Sequence, residues 1–149
     1  KKELLRELFY NLDGRTVKDS SQVVGEVANG SCYIGVTLEE NALRGIKNGY
    51  DIAMVYPEEG TSAIPDGTAI IAGCPHEENA RRFVDFTLSE DVQTYLSRSC
   101  NLRAVRADVP QPEAITSEFL AFPYDIDWAA SCQEDYLFLW HSLQQEVEP

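Results

Sequence analysis

The chain has 149 residues, of which 44% are hydrophobic and 25% charged, enough for one ordinary domain with its own core and too apolar for a disordered segment. Lys and Arg number 12 against 25 Asp and Glu, and the formal net charge of −13 repels a phosphate backbone and excludes nucleic acid as a partner. The longest apolar runs, such as Ala69 to Ala72, fall far short of the ~20 residues of a membrane span.

Lys1 to Leu12 reads as an amphipathic helix with Leu4, Leu5, Leu8, Phe9 and Leu12 on one face. The chain opens on Lys rather than Met and no signal peptide precedes that helix, so either a removed leader or a longer parent protein is expected. Gly14 breaks the pattern, and Asp19-Ser20-Ser21 offers an N-cap for a second helix carrying Val23, Val24, Val27 and Ala28, stopped by Asn29-Gly30. Ser31 to Thr37 has the composition of a strand buried on both faces. Thr37 with Glu40 then forms the T-x-x-E pattern of a capping box, ahead of an apolar stripe of Leu38, Ala42, Leu43 and Ile46 that ends at Asn48-Gly49. Asp51 to Tyr56 is again a strand. This succession predicts a parallel sheet with a right-handed crossover.

A turn at Pro57 to Thr61 leads through Pro65 and Gly67 to a third strand, Thr68 to Ala72, and a loop at Gly73 to His76. A helix is expected over Glu77 to Leu88, with Ala80, Phe83, Val84 and Leu88 inward. Ser89-Glu90-Asp91 caps another, running to about Arg98 with Val92, Tyr95 and Leu96 inward. Residues 101–121 read as extended connection because of Pro110 and Pro112, and a long helix is expected from Trp128 to Val147. Internal repeats and low-complexity segments are absent from the sequence.

Cys32, Cys74, Cys100 and Cys132 have no C-x-x-C spacing, which excludes the common zinc and redox patterns. They read as buried free thiols, or as one disulfide with Cys100–Cys132 the favoured pair. His76 and His141, the two histidines, sit in no nucleophile motif, and no dinucleotide, phosphate-loop or zinc-protease signature occurs. The acidic pairs Glu39-Glu40, Glu58-Glu59 and Glu77-Glu78 are what helix first turns favour. The caps at Asp19-Ser20-Ser21 and at Thr37 to Asn41 are the two places where helix N-termini meet strand ends, and so the candidate ligand loops.

The order of segments Asp19-Ser20-Ser21, Val27 to Gly30, Ile34 to Thr37, the YPEEGT of Tyr56 to Thr61, Gly73 to Ala80, the FVDFTLSEDVQ of Phe83 to Gln93, and Pro123 to Ala130 through Trp140 resembles the extracellular solute-binding proteins of ABC importers. The iron(III), phosphonate and sugar-phosphate group is the most similar. The resemblance implies an α/β, type II periplasmic-binding-protein-like fold, of which this chain is the C-terminal half: residues 1–66 in the second lobe, 67–100 returning to the first, and 101–149 a connection and the second lobe's last helix. It implies a non-enzymatic protein that captures a small solute by lobe closure, with an ABC permease as partner, no cofactor and no bound metal. An extracellular or periplasmic location with a lipoprotein tether also follows, as does dimerisation of the fragment through exposed core. The ligand residues it implies are Asp19, Ser20, Ser21, Thr37, Glu39, Glu40 and Asn41, and any Arg or Lys clamp is left to the missing half. Iron-binding members carry a tyrosine pair where this chain has Leu38-Glu39-Glu40-Asn41, so an organic anion, phosphonate or sugar phosphate is expected rather than ferric iron. Ser20, Ser21 and Thr37 would donate to it, and Glu40 would accept from sugar hydroxyls or pair with an amine. A ligand-sensing domain of a signalling protein is the alternative on the same fold.

Overall fold

The computed structural model describes residues 2–115 and 118–147. The first residue expected in the N-terminal helix, Lys1, and two positions of the expected connection, Thr116 and Ser117, lie outside the described residues. Among the described residues six helices form: α1 (Lys2–Leu12), α2 (Ser20–Ala28), α3 (Glu39–Lys47), α4 (Glu77–Thr87), α5 (Glu90–Cys100) and α6 (Ile126–Val147). They fall where periodicity and caps place them. Asp19 caps α2 by accepting the Ser21 N–H at 2.7 Å, and Ser89 caps α5 by accepting the Val92 N–H at 3.4 Å. The last helix begins two residues earlier than Trp128, since Asp125 accepts the Trp128 N–H at 2.9 Å and so caps the turn ahead of it.

The chain divides into two compact units, residues 1–18 with 123–149, and residues 19–122. In the first, Phe9 of α1 is buried and meets Trp140 of α6 edge-on, with ring centroids 5.1 Å apart, and Leu143 is sealed from solvent. In the second, α2 and α3 pack around Val24, Ala42 and Leu43. Their close approach depends on Gly45, where a Cβ would come within 2.6 Å of Val24 and 3.0 Å of Ile52.

The α5 C-terminus turns back through Asn101, held left-handed at φ 57°, a conformation Asn tolerates because of its short polar side chain. Buried polar side chains then fasten the segment that follows. Gln93 donates to the Thr87 carbonyl at 2.9 Å and accepts the Val105 N–H at 3.0 Å, and Ser97 donates to the Pro110 carbonyl at 2.6 Å. Gln111 closes the loop on Ala104 through both of its backbone groups.

The three expected strands do not form among the described residues, which contain helices and one isolated parallel bridge between Thr61 and Ala121. Gly60 makes that bridge possible, with φ 104° and a Cα that lies against the Leu120 carbonyl where any Cβ would collide. Segments 31–37, 51–56 and 68–72 are unpaired, leaving Tyr33, Ile34 and Val36 at 98%, 85% and 90% exposure. A strand is completed by the neighbour that takes its N–H and C=O groups, and none lies beside these segments. The chain exposes 11911 Å², against about 7,600 Å² for one folded body of its size or about 9,000 Å² for two.

The helical stripes are also less covered than their pattern suggests. Phe83, Leu88 and Tyr95, expected inward, are 58%, 46% and 62% exposed. Periodicity marks an apolar face without supplying what covers it. All four cysteines are free thiols and partly exposed, so neither the Cys100–Cys132 bridge nor full burial is present.

Gly45→Ala should lower the urea midpoint of unfolding. The crowding of two stiff β-branched neighbours costs about 1–3 kcal/mol and outweighs the gain of about 1 kcal/mol in helix propensity. A raised midpoint would show that α2 and α3 separate without cost.

Candidate functional site

The N-terminal turn of α2 and the segment entering α3 meet through Ser20. Its carbonyl accepts the Thr37 hydroxyl at 2.6 Å, and its own Oγ accepts from Asn41 Nδ2 at 2.9 Å. Asn41 is buried, and its Oδ1 accepts from Arg44 one helical turn on. Ser20, Thr37, Asn41 and Arg44 are thus one chain of hydrogen bonds, with Asp19 and Ser21 beside it at the mouth of α2. The Ser21 N–H, and then its hydroxyl, hold the Asp19 carboxyl below the usual carboxylate range.

This geometry corrects the expected capping box. Thr37 spends its hydroxyl proton on the Ser20 carbonyl, and α3 instead starts after Leu38, extended at ψ 146° and without a side-chain cap bond. Glu40 lies half-buried in the first turn of α3.

Glu39, in that same first turn, faces a different partner. Arg103 Nε and Nη2 donate to its two carboxylate oxygens, each at 2.8 Å, and the Tyr56 hydroxyl donates to Oε1. Arg103 also reaches the Tyr56 oxygen at 3.4 Å, and its guanidinium carbon lies 4.7 Å from the centroid of the Phe119 ring, which is 5.2 Å from the Tyr56 ring. Burial works against the Glu39 carboxylate, but the bonds from Arg103 and Tyr56 outweigh it and hold its carboxyl below the usual range. Burial and the adjacent Glu39 push the Tyr56 phenol up, and Glu39 raises Arg103 in turn.

Two cations therefore stand where the sequence suggested that a clamp would lie elsewhere. Arg44 was legible in principle, three residues beyond Asn41 on one helix face. Arg103 was not, because it lies 64 residues from Glu39 and is delivered by the reversal at Asn101.

Neither histidine joins this region. His76 precedes α4 without a side-chain cap bond, and His141 on α6 lies 3.2 Å from Gln144. Among the described residues no group of three or more His, Cys, Asp or Glu is arranged to hold a metal ion, and no helix is long and apolar enough to cross a membrane. A shallow apolar cavity of about 620 Å³, lined by Leu5, Trp128, Tyr136 and Trp140 among others, lies within the α1–α6 unit and contains none of the expected ligand residues.

The family of bacterial extracellular solute-binding proteins matches residues 3–123, and the chain belongs to that family. No curated protein and no solved structure matches it. Membership carries a small-molecule ligand, an ABC permease as partner and a place outside the cytoplasm, in a family of binding proteins rather than catalysts.

The Glu39–Arg103 pair sets a pH dependence. Its contribution is fully present above the unfolded Glu value of about 4.3 and is lost as the pH falls through the lower folded value. Between about pH 5 and pH 3 the urea midpoint of the unaltered chain should fall more steeply than that of Glu39→Gln. Parallel slopes would show that the pair adds nothing to the fold.

Proposed function

We propose that this chain helps to capture a small organic anion, with a phosphonate or sugar phosphate preferred to ferric iron, for delivery to an ABC permease by closure of two lobes. The observation that carries this reading is the convergence of Ser20, Thr37 and Asn41 at the N-termini of α2 and α3, with Arg44, in the last turn of α3, donating to Asn41 and Arg103 paired to Glu39 in the first turn of α3. Helix N-termini favour anions through their outward N–H groups, and guanidinium groups match the paired oxygens of phosphonates and carboxylates. Asp19, Ser20, Ser21, Thr37, Glu39, Glu40 and Asn41 form the protein side of the site, with Glu40 meeting ligand hydroxyls or an amine. The run Leu38 to Asn41 offers no phenolate to a hard cation.

The α/β, type II architecture belongs to the same proposal. Segments 31–37, 51–56 and 68–72 carry the apolar content of sheet-interior strands and lie extended with their edges open. Neighbouring strands would complete them. Residues 1–66 and 101–149 then belong to the second lobe and 67–100 to the first, and a lipoprotein tether would keep the protein at its permease.

The test is a thermal-shift screen of the full-length protein against phosphonates, sugar phosphates, dicarboxylates and ferric iron. A ligand at a hundred times its Kd stabilises the folded state by about 2.7 kcal/mol, so a phosphonate or sugar phosphate should raise Tm by several degrees. A response to ferric iron alone would overturn the ligand class, and silence across the panel would overturn capture of such solutes.

A further inference from the structure

We propose that Glu39 is an internal stand-in for the anionic group of the solute, and that binding transfers the Arg103 fork from Glu39 to the solute. The inference rests on the reading of the site as a receptor for small anions and adds how that site is regulated. Arg103 presents Nε and Nη2 side-on to two oxygens of one carboxylate, each at 2.8 Å. The same two-pronged geometry accepts a phosphonate or an external carboxylate.

Three features make the pair exchangeable rather than merely structural. First, it is within reach of solvent, with the Arg103 side chain 36% and that of Glu39 22% exposed, and a pair so placed adds little to stability. Second, Arg103 is held independently of Glu39. Its guanidinium lies over Phe119, and its backbone is fixed on either side by the left-handed Asn101 and by the bonds of Gln111 to Ala104. The fork therefore keeps its place when its partner leaves. Third, the Tyr56 hydroxyl donates to Glu39 as well, so the displaced carboxylate retains a donor.

Selectivity follows from the same geometry. An incoming anion must replace two simultaneous hydrogen bonds, which a halide cannot do and a phosphonate can. Glu39 acts as a threshold that admits only ligands bearing two suitably spaced oxygens.

The experiment is calorimetric titration of methylphosphonate into the full-length protein and its Glu39→Gln, Arg103→Gln and doubly substituted variants, each checked for folding by circular dichroism. Glu39→Gln should bind about fivefold tighter than the unaltered protein, the size expected for removing a competing charge that solvent still reaches. Arg103→Gln should bind at least tenfold more weakly, and the double variant should behave as Arg103→Gln does. Should Glu39→Gln fail to fold, Glu39→Asp, whose shorter arm loosens the pair, should still show tighter binding. Equal or weaker binding by a folded Glu39 variant, unaltered binding by Arg103→Gln, or no methylphosphonate binding by any of the four would overturn the exchange. Capture of small anions at this site would fall separately, only if the whole solute panel also failed to stabilise every version.

Discussion

The close seating of α2 against α3 is the constraint on which the candidate site depends, and a missing side chain at Gly45 permits it. With a Cβ there, Val24 could not occupy its place in the small core with Leu43, and the two helices would stand further apart. Only at this separation do the oxygens of Ser20 come within hydrogen-bond reach of Thr37 and Asn41. Packing and polar chemistry thus share one cause. The apolar contact sets the spacing, and the buried Asn41 makes the spacing specific, since a misplaced helix would strand its amide without a partner.

A second anchoring system works at longer range. Gln93, Ser97 and Asn101 are buried polar residues on or just after α5, and the bonds of Gln93 and Ser97 run to the chain that follows. They convert an irregular, proline-bearing segment into a positioned one. Arg103 rides on that segment, so its meeting with Glu39 is a product of backbone fastening as much as of charge attraction.

What could be read from the residues divides along the same line. Local signals were sufficient for α1 to α6, because caps such as Asp19 and Ser89 and stops such as Asn29-Gly30 act within a few residues. Ser20, Thr37 and Asn41, which meet between α2 and α3, stand at caps that the same local signals mark. Thr37 was read as a cap because its spacing to Glu40 fits one, and only the neighbouring α2 carbonyl reveals where its proton goes. The Arg103–Tyr56–Phe119 cluster had no local signature, as its members are distant in sequence. Strand composition was equally legible at 31–37, 51–56 and 68–72, yet pairing is a property of two segments, and the pattern of one cannot supply the other.

The exposure of residues 31–37 bears on colloidal behaviour. Ser31 to Thr37 has no charge and no proline, combines Tyr, Ile and Val, and leaves its backbone edge open, the composition of a segment that zips onto copies of itself. What opposes such self-association is the net charge of −13, which keeps copies apart in solution. Acidification and added salt both erase that repulsion, the one by protonating carboxylates and the other by screening them. A residue pattern suited to the inside of a sheet therefore makes the solubility of these 149 residues, taken without the neighbouring strands proposed for them, conditional on their acidic surface.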